Sequence, residues 1–108
     1  MPEKEYPIRL WYMFKREICT IIDVDERSRK VKIYNYTNNF IKKAFGRNEN
    51  PTFEEYEEFL ESRCFPRQRD KIKLVLEDLN LPFYDPFMII EKTEGRMAED
   101  DFWIRIER

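Results

Sequence analysis

Histidine is absent from the chain, which removes the usual general base for a serine or cysteine nucleophile and the commonest transition-metal ligand. Triads and zinc sites built on imidazole are thereby excluded. With two glycines in 108 residues there is no glycine-rich phosphate loop, and neither a His-Arg-Asp catalytic loop nor an Asp-Phe-Gly motif occurs. No apolar run approaches the roughly 20 residues that a membrane-spanning helix needs. Charge of one sign is lacking too: 20 Lys plus Arg nearly cancel 22 Asp plus Glu, so no broad field steers the chain to nucleic acid or membrane. The two cysteines, Cys19 and Cys64, follow no secretory signal and are expected to be buried free thiols in a reducing cytosol. A soluble cytoplasmic protein without cofactor or self-sufficient catalytic centre is the expectation.

What is present is apolar mass. Hydrophobic residues make up 42% of the chain and aromatics 16%, with nine Phe, six Tyr and two Trp, enough for one folded domain without disulfide or metal. Residues 1–7 are polar, end in proline and read as a flexible leader, leaving 8–108 as a single domain. Ile8, Leu10, Tyr12 and Phe14 alternate with Arg9, Trp11 and Met13, the period of a strand. Ile18 to Val24 is β-branched and apolar, a second strand, and Val31, Ile33 and Tyr34 give a third, so the start of the chain is an antiparallel meander. If helices cover the Leu10 and Tyr12 face, Trp11 and Met13 lie on the other.

From Thr37 the period changes. Phe40, Ile41, Ala44 and Phe45 follow helical spacing up to Gly46, which suits a left-handed cap. Thr52 and Glu55 have the spacing of a capping box, ahead of an apolar stripe of Phe53, Tyr56, Phe59, Leu60 and Cys64 with Glu54, Glu57, Glu58 and Glu61 opposite. Pro66 can open a next helix with Ile72, Val75, Leu76 and Leu79 on one face. Asp85-Pro86 repeats the signature of a helix start, so 87–92 forms a short helix closed by Gly95, or else 87–90 is a buried strand. Phe102 to Ile106 alternates as an edge strand would, with its neighbour in the sheet open. The fold class is α+β: a small antiparallel sheet, a three-stranded meander plus a possible C-terminal strand, packed against three to four short helices.

Three constellations could carry chemistry. Asp23, Asp25 and Glu26, with Glu99, Asp100 and Asp101, are oxygen ligands of the kind Mg²⁺ or Ca²⁺ takes, although no calcium-loop spacing occurs and solvated turn charges account for them as well. Arg63, Arg67, Arg69, Lys71 and Lys73 form a basic segment, 63–73, able to meet phosphates, interrupted by Asp70 and close to the Glu-rich helix that can neutralise it. Trp11, Tyr12, Phe14, Phe102 and Trp103 belong either to a core or to an exposed docking patch.

Several stretches resemble the N-terminal segment of bacterial HipA-like proteins, over about Ile8 to Arg105. They are Ile22-Asp23-Val24-Asp25, Arg63-Cys64-Phe65-Pro66-Arg67-Gln68-Arg69, and the ordered set Lys92, Gly95, Asp100, Trp103, Ile104 and Arg105. In that family the segment precedes a kinase-like domain of a toxin-antitoxin system. The resemblance implies an accessory module with a kinase-like protein as partner, and it carries over no catalytic residue. The leading expectation is thus a standalone regulatory or protein-interaction domain with Trp11, Arg63, Arg69 and Trp103 as candidate contacts. A nucleic-acid-binding accessory protein using 63–73 is the alternative, and a carboxylate-metal hydrolase using Asp23, Asp25, Asp100 and Asp101 ranks third.

Overall fold

The computed structural model describes residues 2–108. Among them are four strands and three helices in the order β1 (Ile8–Phe14), β2 (Glu17–Asp25), β3 (Lys30–Asn35), α1 (Phe53–Ser62), α2 (Ile72–Asp78), α3 (Pro86–Thr93) and β4 (Phe102–Glu107). The sheet is antiparallel with strand order β3-β2-β1-β4. β4 therefore lies beside β1, and the α+β architecture of a meander plus a C-terminal strand is the observed one. Residues 87–90 fall inside α3 and not in a strand.

The period of two sorts the sheet into faces. Leu10, Tyr12, Ile22, Val24 and Ile104 face the helices and join a core completed by Phe53, Tyr56 and Leu60 of α1 and by Ile89 and Ile90 of α3. Burying each such side chain stabilises the fold by about 1.5–3 kcal/mol. Aromatic contacts knit the layers: Tyr12 stacks on Phe102 at 4.9 Å and meets Phe59 edge-on at 5.0 Å. Both cysteines are free and buried, and burial pushes the Cys64 thiol up to about 12, far from a reactive thiolate.

Caps set the helix ends. Thr52 Oγ1 accepts from the Glu55 N–H at 3.1 Å while Glu55 Oε1 accepts from the Thr52 N–H at 3.0 Å, the reciprocal capping box. Asp85 accepts from the Met88 N–H at 3.2 Å, with Pro86 in the first turn of α3. Glu94 and Gly95 then take φ of 60° and 63° and end the helix.

Two expected elements differ. The segment from Thr37 to Gly46 is a run of turns, not a helix. Its backbone is diverted by side chains: Thr37 Oγ1 binds the Asn39 N–H, Asn39 Oδ1 binds the Ile41 N–H, and Thr20 Oγ1 on β2 takes the Ala44 N–H. Such bonds compete with the helical ladder, and Ile41 is left 85% exposed. Pro66 likewise does not open α2. The Arg69 N–H closes a turn onto the Pro66 carbonyl, and Lys71 at φ 59° blocks a helix through 66–71, so α2 begins at Ile72.

Candidate functional site

The candidate contact residues separate. Trp11 and Trp103 share the sheet face away from the helices, where Met13 pairs with Trp103 and Trp11 with Arg105. On that face Arg9 and Asp23 form a buried bidentate pair at 2.7 and 2.8 Å, and Ile21 is fully covered. Trp11 Nε1 donates to Glu107, Trp103 Nε1 donates to the Lys15 carbonyl, and Arg96 lies 4.8 Å over the Trp103 ring. These two indoles are tied into the sheet by their own polar atoms.

Arg63 is 7% exposed and is consumed inside the protein. Its guanidinium donates to the Gly95 carbonyl, to both oxygens of Asp100 at 2.9 and 3.0 Å, and to the Phe102 carbonyl. This clamp ties the end of α1 to the loop that delivers β4. Gly95 belongs to it sterically, because a Cβ there would lie 3.4 Å from Arg63 Cβ and from Ile104 Cδ1. The hydrogen bonds from Arg63 hold the Asp100 carboxyl below the usual carboxylate range.

Three of the five cations of the basic segment thus have partners within the chain, while Lys71 and Lys73 are exposed. Arg63 is inside, Arg67 bonds Glu61 at 3.2 Å, and Arg69 lies 5.7 Å over Phe65. The four carboxylates of the hydrolase reading are not brought together either. Asp23 pairs with Arg9 at one end of β1, whereas Asp101 meets Lys15 just past its other end. Six residues of strand put about 20 Å between those ends. Asp25 binds the turn N–H groups of Arg27 and Ser28, and among the described residues no cluster of metal-ligating side chains is present.

A cleft of about 830 Å³ lies elsewhere, between α1, the start of α3 and the β2–β3 turn. Six carboxylates line it: Glu26, Glu54, Glu57, Glu58, Glu61 and Asp85. Phe53, Tyr56, Tyr84 and Phe87 supply rings. The Glu face of α1 sets this up, because residues three and four apart are neighbours on a helix and here they repeat one charge. α1 has no basic residue in its last turn, so Glu61 also opposes the helix dipole.

Two arginines of the chain grip the cleft's ends in the same way. Arg29 from the β2–β3 turn lies 4.4 Å over Phe53 and bonds Glu54 at 2.8 Å, holding that carboxyl below its ordinary value. Arg67 lies 4.5 Å over Tyr84 and bonds Glu61. Between them Tyr56, 2% exposed, carries the one buried side-chain polar atom without a hydrogen-bond partner among the described residues, its hydroxyl. Burial raises the pKa of that hydroxyl, and the carboxylates of Glu26, Glu57 and Asp85 raise it further.

Sequence reasoning missed this cleft. The legible signal was an acidic helix face with no internal cation, an arrangement that disfavours the helix and so asks for a use. The convergence of Glu26, Asp85 and Tyr84 on that face is tertiary and left no local mark. Comparison with family models, with curated proteins and with solved structures finds no match to this chain.

Proposed function

We propose that this chain is a protein-interaction domain of regulatory or accessory type, and that it receives a positively charged segment of its partner in the cleft along α1. The carrying observation is the cleft itself, where six carboxylates and aromatic rings converge and where two of the chain's own arginines lie over rings and beside carboxylates. Cations held over rings and between carboxylates gain from both contacts. α1 is ten residues long, about 15 Å, so an extended segment of four to five residues matches its length. Acidic clefts of this kind raise association rates with basic partners and lose affinity as salt rises. A kinase-like partner in a reducing cytosol is the setting that the resemblance to HipA-like N-terminal segments adds to this reading.

The test is calorimetric titration of the protein with penta-arginine and with penta-glutamate at low salt. Penta-arginine binds, penta-glutamate does not, and Glu57→Lys with Glu58→Lys reduces affinity by about tenfold or more. Equal binding of penta-arginine by the charge-reversed protein would place the cation site elsewhere and overturn the reading.

A further inference from the structure

We propose that Arg29 and Arg67 are resident occupants of the two ends of this cleft and hold it self-capped, so that a basic segment binds by displacing them. The inference rests on the reading of the cleft as a site for a basic segment, and it adds how that site is regulated.

Each end is closed by the same kinds of contact. Arg29 lies 4.4 Å over Phe53, donates to Glu54 at 2.8 Å and comes within 3.8 Å of Glu57. Arg67 lies 4.5 Å over Tyr84 and donates to Glu61 at 3.2 Å. The rings at both ends and three of the six carboxylates are thereby taken, whereas Glu26, Glu58 and Asp85 are in no ion pair among the described residues. Local backbone preference does not account for Arg29, because a glycine or asparagine adopts its φ of 55° more readily. What an arginine supplies at that position is its side chain.

Both residents can be displaced. Their side chains are 53% and 50% exposed and those of their carboxylate partners 46% to 66%, and ion pairs so open to water hold weakly. Tethering works the other way. A cation fixed to the chain competes at an effective concentration on the order of millimolar, so a lone cation in solution evicts it only at comparable concentration. A basic segment is not so limited, because once anchored on Glu26, Glu58 and Asp85 its remaining cations compete as tethered groups themselves. At the ends one guanidinium then replaces another on the same ring and carboxylate. The unpaired middle sets the affinity, and the residents reduce what the ends contribute.

The experiment titrates penta-arginine into wild type, Arg29→Gln, Arg27→Gln and the double variant Arg29→Gln with Arg67→Gln, at several salt concentrations and after thermal melts of all four proteins. Arg27→Gln is the control for net charge: it removes the same charge from the same exposed turn, and among the described residues no ring or carboxylate of the cleft is bonded to the Arg27 side chain. Arg29→Gln is expected to bind about three- to tenfold more tightly than wild type, Arg27→Gln to stay within about twofold, and the double variant to bind more tightly than Arg29→Gln. Affinity should also fall more steeply with salt in the double variant, where arriving cations replace solution ions and not resident arginines. No gain in Arg29→Gln, or an equal gain in Arg27→Gln, would overturn the capping and leave the cleft reading standing. Binding by the double variant alone would support the capping in its strongest form. If none of the four proteins binds, the cleft reading falls and the capping falls with it. Should Arg29→Gln fail to fold, Arg29→Lys serves instead, keeping the charge and losing the planar fork, with a smaller gain expected and an unchanged affinity contradicting the proposal.

Discussion

The clamp at the end of α1 and the cleft along its flank are built from the same parts: arginine, carboxylate and aromatic ring. In the clamp the parts close on one another. Arg63 is buried, its bonds run to residues 32 to 39 positions away, and Phe102 lies beside it at 5.9 Å. In the cleft they stay open: Arg29 and Arg67 are half exposed, the carboxylates outnumber the cations, and a buried hydroxyl is left over. The difference teaches that an Arg–carboxylate contact is structural where the arginine is buried and its guanidinium is bonded on several sides, to Gly95, Asp100 and Phe102. In the cleft the balance is left incomplete, and it is this surplus of carboxylates that the proposed capture of a basic segment draws on.

Substitutions sharpen this contrast, beginning with the clamp. Arg63→Ala should destabilise the protein by about 3 kcal/mol, since it strands a partly buried carboxylate and two carbonyls, as read from urea unfolding. Arg63→Lys should recover only part of that loss, because an ammonium cannot reproduce the fork. Gly95→Ala should cost about 1–2 kcal/mol, through positive φ and the close approach of Arg63 and Ile104. Thr52→Ala removes half of the capping box and should cost about 1 kcal/mol. Glu57→Lys in the cleft should change stability by no more than about 0.5 kcal/mol, with its effect confined to binding. A cleft variant as damaging as Arg63→Ala would break the comparison.

Acid separates the two regions as well. Arg63 depresses the folded-state pKa of Asp100, so this carboxylate contributes stability that is complete above about pH 4 and is lost as pH falls through the lower folded value. Stability measured from pH 5 to pH 2 should therefore decline less steeply in Arg63→Met than in the wild type. An unchanged slope would mean that the clamp is not what acid disrupts.

The sheet was legible because alternation is local: Leu10 against Trp11 on β1 already assigns faces, and the caps at Thr52 and Asp85 announce α1 and α3. The stretch after Thr37 was not, because the bond from the Ala44 N–H to Thr20 joins residues 24 positions apart and overrides a helical spacing. Arg63 illustrates the same limit. Its motif is visible in sequence as part of a basic run, yet its role is fixed by Gly95, Asp100 and Phe102, which only folding brings near. The acidic face of α1 was visible, and the residues that turn it into a cleft were not.

The most direct test of the central claim is a map of backbone amide shifts in ¹⁵N-labelled protein as penta-arginine is added. Shifts concentrated over Glu54 to Glu61, Glu26 and Tyr84 to Phe87 are predicted. Shifts confined to the Trp11 and Trp103 face, or none at all, would contradict the assignment of the cleft as the binding surface.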